Sequence, residues 1–170
     1  MKLSNELAKQ AKKFRICQGW HDELKSLEDK KAMIKMYLKG IDFCLSNDYP
    51  SNEFIRANFK GVMEEFGVFL DDSFDLVNVA KCVSLGRTKG FIEINSFGTS
   101  EIFAKHYSEL TIIAKGDAFV MVDLFDNAVI HVHAYDRAKV CVNRYGNSKV
   151  DHQKDDLAMV KIIEKHKKTY

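Results

Sequence analysis

Between Ser108 and Val150 the sequence repeats every ten residues, and this repeat restricts the possible folds more than any other feature. In tens it runs SELTIIAKGD, AFVMVDLFDN, AVIHVHAYDR, AKVCVNRYGN and SKV. The first column is small throughout: Ser108, Ala118, Ala128, Ala138 and Ser148. The third (Leu110, Val120, Ile130, Val140, Val150) and the fifth (Ile112, Val122, Val132, Val142) are aliphatic. The eighth holds Lys115, Phe125, Tyr135 and Tyr145, and each ten closes on a turn dipeptide such as Gly-Asp or Asp-Asn. Alternation of period two inside a fixed longer period is the pattern of stacked strands.

A strand of five residues at about 3.3 Å each spans about 16 Å, and the rest of each ten turns the chain. In an antiparallel meander the direction reverses at every turn, so nothing keeps like residues in like columns. In a β-solenoid they lie about 4.8 Å apart and reinforce one another. The expectation is therefore a solenoid in which two tens make a coil, one ten in each of two facing sheets; the meander is the alternative. Ile102 and Ala104, then Ile92 and Ile94, carry the register backwards, so the repeat region starts near residue 76 in degenerate form.

Upstream the period is helical. Leu3, Leu7, Ala11 and Phe14 line one face of a helix over residues 2–15. A second helix is expected from Leu27 to Leu45, and a third from about Asn52 to Glu65, N-capped by Ser51 and ended by a left-handed Gly67. Gly19 and Trp20 break the pattern between them, with Trp20 a core anchor. The fold class is α+β: about three N-terminal helices capping a small C-terminal β-solenoid. The expected segments are a helical region 1–72, a β-repeat region 73–153 and a closing strand or helix with a basic tail at 154–170, forming one compact unit.

Composition narrows the function classes. Apolar residues are 46% and there is one proline, which supports a folded core rather than disorder. A net charge of +2, from 26 basic and 24 acidic residues, carries no polyelectrolyte signal for nucleic acid. Cys17, Cys44, Cys82 and Cys141 form no C-x-x-C and no close pair, as expected of reduced thiols. With no signal peptide and no apolar run long enough to cross a membrane, the expected location is the cytoplasm.

Few residues suggest chemistry. His131 and His133 share the outward face of one strand and could supply two imidazoles to zinc, with Asp123, Cys141 or Asn143 as further ligands. A polar exposed face is the preferred reading, so no metal and no cofactor are expected. Gly86-Arg-Thr-Lys-Gly90 lacks the P-loop frame and reads as a surface turn. Asp126 and Asp136, in equivalent positions, suit turn hydrogen bonding better than acid–base catalysis. The residues that interrupt the columns or stand on the exposed repeat face are Met121, Asp123, His131, His133 and Arg144, and these are the candidate binding residues.

Residues 37–59, YLKGIDFCLSNDYPSNEFIRANF, resemble a block in uncharacterised bacterial and bacteriophage proteins, where it precedes repeats of the type Ala-x-Val-x-Ala-Tyr-Asp-Asn. Residues 128–137 and 138–147 are similar to that repeat, although Arg144 replaces the usual small residue. The resemblance implies a gene that moves between phages and their hosts. It also implies a non-enzymatic module that binds a host protein or ribonucleoprotein, such as an inhibitor of a CRISPR-type defence nuclease. The alternatives are a self-assembling repeat protein, hence a homo-oligomer, and a metal-dependent enzyme centred on His131 and His133.

Overall fold

A computed structural model describes residues 2–170 and divides them into two compact units. One comprises the residues up to Phe66 together with Tyr170, the other Gly67–Thr169. The first holds five helices: α1 (Leu3–Lys12), α2 (Gln18–Ser26), α3 (Lys30–Lys39), α4 (Ile41–Ser46) and α5 (Asn52–Asn58), then a 3-10 turn at Met63–Phe66. The expected second helix is thus two. Gly40 leaves the helical region (φ −103°, ψ 33°) and its bare Cα lies under the Trp20 ring, which a Cβ there would meet at 2.8 Å. Trp20 and Gly19 begin α2 instead of breaking a helix, and Lys39 sets its ammonium 5.1 Å from the centroid of the same ring. Ser51 does cap α5 through Phe54 N–H, and Gly67 takes φ +76°.

The second unit is a parallel β-solenoid of eleven strands: β1 (Val68–Leu70), β2 (Ser73–Val77), β3 (Lys81–Leu85), β4 (Lys89–Ile94), β5 (Thr99–Ala104), β6 (Glu109–Ala114), β7 (Phe119–Leu124), β8 (Val129–Ala134), β9 (Lys139–Arg144), β10 (Lys149–Lys154) and β11 (Met159–Glu164). Odd strands form a six-stranded sheet in the order β1-β3-β5-β7-β9-β11, and even strands a five-stranded sheet in the order β10-β8-β6-β4-β2. From Lys81 onward each residue pairs with the one twenty places later, as in Leu110↔Ile130↔Val150. Each coil therefore takes two tens. The first coil is shorter: Val68 pairs with Val83 and Ser73 with Lys89. Residues 155–168, open between strand and helix in sequence, continue the ladder as β11.

The inward columns are those read from the alternation. Ile112, Ala114, Val122, Leu124, Ile130 and Ala134 are fully buried between the sheets. Burying one such aliphatic side chain contributes roughly 1.5–3 kcal/mol, against about 1 kcal/mol for one turn hydrogen bond, so the interior dominates the stability. The small column is a corner. Ser108 and Ser148 are buried there, their hydroxyls donating to the carbonyls of Lys105 and Tyr145.

Two residues before each corner the backbone is left-handed: Ser96, His106, Gly116, Asp126, Asp136, Gly146, Asp156 and His166 have φ of +53° to +66°. Asp, Asn and Gly tolerate this region best. The aspartate side chains there bond the previous coil rather than their own turn. Asp136 Oδ2 accepts from Gly116 N–H at 2.8 Å, Asp156 Oδ2 from Asp136 N–H at 3.2 Å and Asp126 Oδ2 from His106 N–H at 3.3 Å. Asp126 and Asp136 are thus structural fasteners between coils.

Asp136→Ala removes an acceptor and places a Cβ-bearing residue without a local polar partner at φ +55°. It should lower stability by about 1–2 kcal/mol, and Asp136→Gly by less, because glycine relieves the backbone term. Urea midpoints measure both; a glycine variant less stable than the alanine variant would contradict the backbone argument.

Candidate functional site

A twenty-residue coil separates residues that ten-residue columns place together. Met121 and Asp123 lie on β7, on the outer face of the six-stranded sheet. His131 and His133 lie on β8, on the outer face of the five-stranded sheet. Cys141 and Asn143 pair with Met121 and Asp123, so all three further ligands considered for the histidines belong to the other sheet. The neighbours of His131 are Thr111 and Asp151, and those of His133 are Ile113 and Gln153.

Each histidine has a carboxylate partner one coil onward. His131 Nδ1 is 3.5 Å from Asp151 Oδ2, both exposed. His133 is tied on both ring nitrogens: Nε2 lies 2.6 Å from Asp155 Oδ2 and Nδ1 2.8 Å from the Tyr135 hydroxyl. A neutral imidazole has one lone pair, and here the Tyr135 hydroxyl occupies it when Nε2–H donates to Asp155. Metal binding by His133 would have to displace one of these partners.

Arg144 stands in the column that carries Leu124 one coil earlier, yet the ladder stays in register through it. Its Nη1 pairs with Glu164 Oε1 at 2.7 Å in the last coil, replacing an apolar contact by an ion pair. Both residues line a cleft of about 620 Å³ at one edge of the stack, with His106, Asp126, His166 and Lys168. Both signs of charge line that cleft. The aromatic column divides in the same way. Phe125 stacks on Tyr145 at 4.8 Å along this edge, whereas Tyr135 packs against His133 on the other.

What the ten-residue columns hide is an apolar cluster on the outer face of the six-stranded sheet. Phe119, Met121 and Met159 are 43%, 40% and 58% exposed, and Cys141 beside Met121 is partly so. Lys139 separates Phe119 from Met159 in one ladder, and Lys161 follows Cys141 in the next. Phe119, Lys139 and Met159 share a column under either count, but only the spacing of twenty removes Val129 and Lys149 from between them and makes them successive neighbours on one face. A grouped set of large apolar side chains at the surface marks a binding site more often than single ones do.

Among known proteins, no family model, no curated protein and no solved structure matches this chain.

The cysteines report on these surfaces. Burial pushes the Cys44 and Cys82 thiols up to about 12, while Cys17 is exposed and Cys141 partly exposed. At pH 8 a thiol at about 12 has a thiolate fraction roughly a thousandfold below an ordinary one, and the thiolate is the nucleophile. Ellman's reagent should therefore titrate two thiols in the native chain and four after denaturation; a third native thiol would show that a core cysteine is accessible.

Proposed function

We propose that this chain is a non-enzymatic module that binds a host protein or ribonucleoprotein and inhibits it, in the manner of a phage-borne antagonist of a CRISPR-type defence nuclease acting in the cytoplasm. The observation that carries the binding role is the exposed pair Phe119 and Met121 on β7, a strand laddered on both sides, with Met159 on the edge strand β11 of the same sheet face. A rigid platform loses little backbone entropy on binding, and large apolar side chains supply the anchors that dominate interfaces. Lys139 and Lys161, with Glu101 and Asp123 beside Met121, surround these apolar side chains with charges of both signs. The phage and defence context rests on the resemblance of residues 37–59 and of the decads.

The other readings have less support. An enzyme centred on His131 and His133 would have to release His133 from Asp155 or Tyr135, both of which hold its ring nitrogens. Self-assembly by end-to-end stacking is opposed by His152 and Lys154, which hold inward columns of β10 and are exposed. Among the described residues no helix is long and apolar enough to cross a membrane.

Capture from host extract with the wild-type chain should retain one complex, and Cys141 should become protected from Ellman's reagent when that complex binds. Phe119→Glu plus Met121→Glu, both surface changes, should leave the thermal midpoint within a few degrees and abolish capture. Equal capture by the double variant would remove this face from the reading, and absence of any specific complex would remove the reading itself.

A further inference from the structure

The final coil is asymmetric. In β10, Val150, His152 and Lys154 stand in register with Ile130, Val132 and Ala134 of β8, so they occupy inward columns. His152 and Lys154 are nonetheless exposed. A further coil laid on β10 would bury an ammonium and an imidazole against apolar side chains without partners, a desolvation cost that edge strands use to block stacking.

β11 is different. Val160 and Ile162 continue the inward columns of Val140 and Val142 and are only partly buried against the core. β11 is also the outermost strand of its sheet, so a row of its backbone N–H and C=O groups points past the sheet. The end of the stack therefore accepts one strand and refuses a coil.

Charge indicates which strand. Lys161 is on β11, and Lys165, Lys167 and Lys168 follow it, with the Lys167 carbonyl accepting from Gly146 N–H at 3.0 Å and holding the tail beside the sheet. The one acid within β11, Glu164, is engaged by Arg144. A second copy would bring an equally basic edge and is disfavoured by like charge.

We propose that β11 is a docking edge for a single extended acidic segment of a partner protein, which adds a seventh strand to the six-stranded sheet. This rests on the reading of the chain as a binding module and names the chemistry of the partner. Main-chain hydrogen bonds supply the attachment, apolar residues at alternate positions continue the Val160 and Ile162 columns, and Asp or Glu between them face Lys161.

The probe is an acetylated, amidated octapeptide of alternating valine and glutamate, titrated into the ¹⁵N-labelled full chain. Saturable shifts should centre on the amides of residues 159–164. Of two versions N-methylated at alternate residues in opposite phases, one should lose binding and the other keep it, because only one row of peptide amides faces the edge. Lys161→Glu plus Lys168→Glu, both exposed, should weaken binding roughly tenfold or more without loss of fold. Ile162→Lys should abolish it, and the charge-reversal variant keeps the test valid if Ile162→Lys fails to fold.

Shifts centred elsewhere, equal binding of a valine–lysine octapeptide, or equal binding of both methylated phases would each overturn the proposal. Capture of a host complex through Phe119 and Met121 with β11 unmoved by the peptide would sink the edge and spare the binding-module reading. Peptide binding at β11 with no captured complex would do the reverse.

Discussion

The solenoid depends on registration at twenty residues. From Lys81 onward the inward columns, the fasteners at the turns and both outer faces follow from the pairing of residue i with i+20. The pairing is strongly determined because a slip of one residue would turn Ile112, Val132 and their columns outward and bring His131 and His133 inward. The left-handed positions reinforce it, since Asp126, Asp136 and Asp156 reach backbone N–H groups only at the correct offset. Hydrophobic burial supplies most of the stabilisation, and these bonds select one alignment among the near-equivalent ones that a repeat offers.

The same registration explains how the surface is divided. Neighbours along a column belong to one sheet, so alternate tens build different faces with different chemistry. The five-stranded sheet carries the histidine–aspartate pairs, which satisfy one another from coil to coil. The six-stranded sheet carries Phe119, Met121 and Met159 with lysines beside them. At the far end, Arg144 and Glu164 replace the apolar column by an ion pair, and β10 becomes polar inside. In β10 the inward columns turn hydrophilic at His152 and Lys154, while Val160 and Ile162 of β11 keep theirs aliphatic.

Much of this fold was legible from period and composition. The alternation in Leu110, Ile112, Val120 and Val122 marks their burial, and persistent columns favour stacked coils over a meander. What was not legible follows from the difference between a ten-residue sequence period and a twenty-residue neighbour distance. Phe125, Tyr135 and Tyr145 look like one aromatic column, yet Phe125 meets Tyr145 while Tyr135 meets His133. Cys141 and Asn143 look close to the histidines and lie on the opposite sheet. Of the candidate residues, Met121 belongs to the exposed apolar cluster, while Phe119 and Met159 are visible only once the strands are assigned to sheets. In the helical unit Gly40 divides a helix that apolar spacing would run straight through: its backbone leaves the helical region at a point where the Trp20 ring fills the space a side chain would need.

The two-sided coil also gives the length of the stack a parity. Gain or loss of twenty residues adds or removes a whole coil and leaves every later residue on its original sheet. Gain or loss of ten exchanges the sheets for everything that follows, sending the histidine face to the methionine side and moving the open edge from β11 to a strand of the other sheet. Change in such a chain is therefore quantised: lineages that preserve both faces can differ in length only by even numbers of decads. A single duplicated decad would create a molecule with the same interior and a different pair of surfaces.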